Sequence, residues 1–119
     1  MLHAFSGGSD GSLPDAGLAI DSSGRLYGTT TNGGDVRCNN GGGCGVAFML
    51  IPHGSGSTEQ VLHTFEDDAT DGGMPLSAVT LDKAGHIYGT TEFGGPGPNL
   101  GKGTAFELGK PLRSRPALW

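Results

Sequence analysis

The residues whose types could do chemistry are two tyrosines, each leading a run of glycine and threonine: Tyr27-Gly28-Thr29-Thr30 and Tyr88-Gly89-Thr90-Thr91. Aromatic faces and hydroxyls suit sugar recognition, which makes Tyr27, Thr29, Tyr88 and Thr90 the candidate lining of a ligand pocket. The plainer account is architectural: the hydroxyls satisfy neighbouring backbone and the glycines permit close packing. A motif present twice in one chain points first to architecture.

His3 and His63 form a second repeated pair, in Leu2-His3-Ala4-Phe5 and Leu62-His63-Thr64-Phe65. His63 and Asp71 join the candidate ligand-binding residues, and a histidine at this position would serve as a general base if it faced a channel. No Ser, Cys or carboxylate stands at a spacing that completes a nucleophile–base pair, so each histidine reads first as a hydrogen-bonded structural residue. Asp67-Asp68-Ala69-Thr70-Asp71-Gly72 has the start of a calcium loop. Ala69 takes the middle carboxylate position and Ala78 stands where the twelfth-position Glu belongs. Asp10 and Asp71, each before a glycine, are expected instead to accept backbone hydrogen bonds in a turn.

The only cysteines, Cys38 and Cys44, bound the glycine-rich segment Cys38-Asn39-Asn40-Gly41-Gly42-Gly43-Cys44. A loop of that length lets two sulfurs meet, so a disulfide and an oxidising compartment are expected. Zinc held with His53 is the rival, but the spacing lacks a second paired ligand set. Gly41-Gly42-Gly43 is not followed by the Lys-Ser/Thr of a phosphate loop. No metal site and no cofactor are expected.

These residues sit in a duplicated frame. Asp21-Ser22-Ser23-Gly24-Arg25-Leu26-Tyr27-Gly28-Thr29-Thr30 returns as Asp82-Lys83-Ala84-Gly85-His86-Ile87-Tyr88-Gly89-Thr90-Thr91, and Gly33-Gly34 as Gly94-Gly95. From residue 10 to 34, 11 of 25 positions match the second copy, against roughly two by chance. Gly45-Val46-Ala47-Phe48-Met49-Leu50 returns as Gly103-Thr104-Ala105-Phe106-Glu107-Leu108 after a shorter connection, and such length variation belongs in a surface loop.

Each copy reads as four short strands. Residues 61–65 alternate and are rich in strand formers. Leu18/Ile20 and Val79/Leu81 repeat at a period of two, and Leu26–Thr30 and Val46–Leu50 supply the last two strands. Asp21 and Gly24, like Asp82 and Gly85, predict a tight hairpin in which the aspartate caps the turn and the glycine takes the left-handed position. No helical stripe persists.

Composition fits this frame. The chain has 119 residues, 34% hydrophobic, with 24 glycines, which suits an all-β protein with many turns. Seven Lys and Arg against 12 Asp and Glu give a net charge of −5, which argues against a nucleic-acid partner. No apolar run approaches the roughly 20 residues of a membrane span. No signal peptide precedes the patterned sequence, so any export signal is expected to lie in a longer chain.

The motif Asp-x-x-Gly-x-Leu/Ile-Tyr-Gly-Thr-Thr, then Gly-Gly, then Gly-x-Ala-Phe-x-Leu, resembles the GloVer tandem repeats of exported bacterial proteins. The likeness covers residues 2–108. It implies a propeller-like fold and an extracellular or cell-surface setting, and carries no defined activity. The expectations are therefore an all-β chain of two four-stranded antiparallel units resembling β-propeller blades, with a β-prism or two-sheet assembly as the alternative. The repeat copies are residues 2–61 and 62–108, followed by a basic tail at 109–119 with Lys110, Arg113 and Arg115. Two blades cannot close a ring, so self-association is expected to complete one. The expected function is a non-enzymatic module that presents loops to carbohydrate or a protein. The alternatives are a hydrolase or lyase with its site between blades, and a purely structural spacer.

Overall fold

A computed structural model describes residues 1–68, 71–96 and 101–109. The tail residues Lys110, Arg113 and Arg115 lie outside them, as do Ala69 and Thr70. The described chain is strand and turn, with a single 3-10 turn at Asn39–Gly41. Nine strands form among the described residues: β1 (Ala19–Ile20), β2 (Leu26–Thr29), β3 (Val46–His53), β4 (Gly56–Thr64), β5 (Gly72–Gly73), β6 (Thr80–Leu81), β7 (Ile87–Thr91), β8 (Phe93–Gly94) and β9 (Thr104–Leu108).

β1 to β4 make one antiparallel sheet in chain order, β6, β7 and β9 make a second, and β5 pairs with β8. All strand pairings are antiparallel, as short connections between successive strands require. The all-β expectation holds; the propeller is taken up below.

Alternation sorts the first sheet into two faces. Ala19, Tyr27, Ala47, Met49 and Ile51 join Val79, Leu81, Ile87, Phe106 and Leu108 of the second sheet in one hydrophobic cluster, closed by Phe65. The opposite face carries Leu26, Val46, Phe48 and Leu50, covered by Phe5 from the N-terminal segment. Burying side chains of this size stabilises by roughly 1.5–3 kcal/mol each, so the inter-sheet cluster is the main cohesive force between the two units.

The repeated glycines have steric work. Gly28 pairs with Phe48 and Gly89 with Phe106 across the strands. A Cβ on Gly28 would stand 2.8 Å from the Phe48 ring, and one on Gly89 2.6 Å from Phe106, so each phenylalanine lies over a glycine. Phe5 then packs edge-on against Phe48 at 5.1 Å, and Phe65 against Phe106 at 5.2 Å. A Cβ on Gly33 would meet the Gly11 backbone at 2.5 Å, and one on Gly94 would meet Gly72 Cα at 2.6 Å. The paired Asp-Gly and Gly-Gly motifs are thus backbone crossings that admit no side chain.

Cys38 and Cys44 form the expected disulfide, with Cα atoms 5.7 Å apart. In the chain-entropy model so short a loop contributes about 2 kcal/mol. It pins the segment between β2 and β3, the stretch where the two copies differ in length.

The sequence period and the sheet are out of frame. The boundary between the copies, at 61/62, falls inside β4, whose residues Leu62–Thr64 open the second copy but belong to the sheet of the first. The β3–β4 register skips at Leu62, since Ala47 faces His63 while Phe48 faces Val61. This bulge turns Leu62 towards the inter-sheet cluster. Residues 2–5, the first copy's match to 62–65, form no strand. Their match hydrogen-bonds to the β3 of the unit before it.

Candidate functional site

Asp21 builds the turn that positions Tyr27. Its Oδ1 accepts the Ser23 and Arg25 amides at 2.9 and 3.0 Å, and its Oδ2 accepts Arg25 Nε at 2.8 Å and the Tyr27 hydroxyl at 2.7 Å. Gly24 closes the turn at φ +87°. Asp82 repeats the arrangement with the Ala84 and His86 amides, His86 Nδ1 at 3.0 Å and the Tyr88 hydroxyl at 2.9 Å. Burial pushes the Asp21 carboxyl up, but the bonds from Tyr27, Arg25 and the backbone outweigh it and hold the group at about 2. The Asp82 carboxyl, bonded first by the His86 amide, also lies at about 2. Burial and the Asp21 bond push the Tyr27 phenol up to about 12.

The four residues of the Tyr-Gly-Thr-Thr motifs that sequence placed in one pocket are divided between two environments. Tyr27 and Thr29 are 3% and 2% exposed on the face covered by the second sheet, while Tyr88 is 39% exposed and Thr90 is exposed on the equivalent face of that sheet. Both tyrosine hydroxyls are already engaged by their aspartates. The threonines that satisfy backbone are the next ones along. Thr30 Oγ1 donates to Asn32 O at 2.8 Å and accepts the Val46 amide, and Thr91 Oγ1 does the same for Phe93 O and the Thr104 amide. Thr29 Oγ1 is buried without a hydrogen-bond partner.

His63 and Asp71 do come together. His63 Nε2 lies 2.9 and 3.0 Å from the two Asp71 oxygens, which also accept the Glu66 and Gly72 amides at 2.8 and 2.9 Å. The first copy repeats this with His3 Nε2 3.2 Å from Asp10 Oδ2, which accepts the Ser6 amide at 2.9 Å. Each pair ties its first-strand segment to the Asp-Gly crossing, and each histidine stacks edge-on against the phenylalanine two residues on.

Where the sheets stack, the two aspartate turns face each other across an open cleft of about 540 Å³. Ser22, Ser23, Arg25 and Tyr27 line one side, and Leu81, Lys83 and Gly85 the other. Arg25 is held by Asp21, whereas Lys83 makes no hydrogen bond or ion pair with a described residue. The cleft therefore offers one free ammonium beside serine hydroxyls, a lining that suits a hydroxyl-rich or anionic ligand. Sequence reasoning missed Lys83 and the serines because they are turn residues of no special type; only the stacking makes them a site.

It also missed Glu59, whose side chain comes within 3.7 Å of His3 Nε2. The alternation of β4 gave no sign of it, because its neighbours come from a segment more than 45 residues earlier. The two cysteines lie near Asp67, but as a disulfide they are not thiolate ligands. Among the described residues no helix is long and apolar enough to cross a membrane. No family model, curated protein or solved structure matches the chain.

Proposed function

We propose that this chain is a non-enzymatic repeat module of β-propeller type that acts outside the cell. Its units stack face to face, and each junction presents a cleft between aspartate turns to carbohydrate or to a protein partner. The observation that carries the reading is a difference between equivalent residues. Val79 is 6% exposed and Ile87 1%, because the face they share packs on the first sheet. Their counterparts are Leu18 and Leu26, and Leu18, at 54%, and its strand neighbour Ile20, at 66%, lie open. Apolar residues placed for burial but left in water mark a docking face for another unit of the same kind. The enzyme reading required Tyr27, His63 and Asp71 to converge. Tyr27 is instead committed to Asp21, and His63 with Asp71 holds a loop crossing.

The receiving face of the second unit differs at several positions: Thr80 and Gly109 stand where the internal junction has Ala19 and Ile51. Met49, fully buried in the internal junction, is matched there by exposed Glu107. A carboxylate at the centre of a stacked face opposes docking, because it must be desolvated or neutralised. Light scattering tests the proposal over a concentration series. The expected result is weak association of two to four chains, shifted to about tenfold lower concentration by Glu107→Met. Strictly monomeric behaviour of both proteins at every concentration would sink the stacking model, and the cleft would then have to be sought as a site on a self-contained two-sheet unit.

A further inference from the structure

We propose that His3, Asp10 and Glu59 form a binding site for a divalent first-row transition-metal cation, with zinc as the best fit. The three residues come from two parts of the chain that meet only in the fold. His3 and Asp10 flank the N-terminal crossing, and Glu59 stands in β4 opposite Leu50. Ser57 Oγ, two residues along the same strand, donates to Leu2 O at 2.7 Å and fixes the N-terminal segment against β4. One donor atom from each of the three lies within 4.8 Å of the others.

The spacing fits a shared ion. Tetrahedral zinc with ligand bonds of about 2.0–2.1 Å separates its donors by roughly 3.3 Å. His3 Nε2 stands 3.2 Å from Asp10 Oδ2 and 3.7 Å from Glu59 Oε1. One imidazole and two carboxylates suit a borderline cation, and three protein ligands leave a fourth position for water. Asp10 is held in place by the Ser6 amide and hydroxyl, as outer-shell partners hold metal-binding carboxylates.

A second observation separates this cluster from an ordinary ion pair. The Glu59 side chain is only 9% exposed, and its Oε2 is buried with no hydrogen-bond partner. A carboxylate so placed lacks the compensation that buried charge requires, and a cation supplies it. Burial first, then the nearby Asp10 charge, pushes the Glu59 carboxyl up, while His3 only partly offsets them. The second copy is the internal control. There His63 meets both Asp71 oxygens at 2.9 and 3.0 Å, while His3 meets a single Asp10 oxygen and lies 3.7 Å from Glu59 Oε1.

The test uses untagged protein stripped of metal and titrated with zinc chloride, followed by calorimetry and by the imidazole nitrogen resonances. The expected result is one zinc per chain with micromolar affinity, a shift of the His3 resonance, and at least tenfold weaker binding in Glu59→Gln. His63→Ala should bind as the parent does. The carboxamide keeps the shape of the glutamate and removes a buried charge, so Glu59→Gln is expected to fold. Unchanged binding in that variant overturns the site, as does zinc that moves only the His53 or His86 resonances, or no binding at all.

Discussion

The Asp21 side chain holds the turn between β1 and β2. One carboxylate organises two amides, a guanidinium and a phenol, and Asp82 repeats the pattern with an imidazole in place of the guanidinium. That explains why tyrosine stands in both motifs: its ring fills the sheet face while its hydroxyl reaches the turn. The acid response follows from the sign of the shift. The folded Asp21 carboxyl lies at about 2, below its ordinary 3.8, so its contribution is complete above about pH 4 and is lost as the pH falls through 2. Asp21→Asn should cost about 1–2 kcal/mol in urea unfolding near neutral pH, and that deficit should shrink near pH 2. A deficit of equal size at both values would show that the charge of Asp21 is not what stabilises the turn.

At the level of elements, the Gly–Phe cross-strand pairs set the register between β2 and β3 and between β7 and β9. Phe48 is 2% exposed, with Leu18 also 2.8 Å from the Gly28 Cβ position, so a methyl there has nowhere to go. Phe106 is half-buried and can turn aside. Gly28→Ala should therefore cost about 2 kcal/mol and Gly89→Ala about 1 kcal/mol, measured by chemical denaturation; the reverse order would disprove this account of the pairs. These elements were largely legible in the sequence, because hairpins, glycine turns and a six-residue disulfide loop are local. Strand alternation gave the face of Val46, Phe48 and Leu50, but not the one on which Tyr27, Ala47 and Met49 are buried against the second sheet. Which tyrosine is buried was not legible, since Tyr27 and Tyr88 have the same local sequence and differ only in what stacks on them. Glu59 was hidden for a related reason: its meaning depends on a contact with the N-terminal segment that no local pattern encodes.

For the whole molecule, the two sheets share more than an interface. The opening strand of the second copy hydrogen-bonds into the sheet of the first, and Phe65, directly after it, packs against Phe106 of the second sheet. Loss of either sheet should therefore loosen the other. Native-state hydrogen exchange should show His63 and Thr64 amides opening together with β3, and the free energies of the two sheets should fall in one narrow band. Separate bands, with 62–64 grouped with β7 and β9, would contradict that coupling.

The offset between copy and sheet also bears on how such a chain could lengthen. A gene segment copied from one residue to its match sixty positions later need not begin or end at the edge of a sheet. Wherever the cut falls, the new stretch hands its leading strand back to its predecessor and borrows its own last strand from its successor. Growth by duplication then preserves every internal junction automatically, like roof tiles laid so that each row covers the seam below.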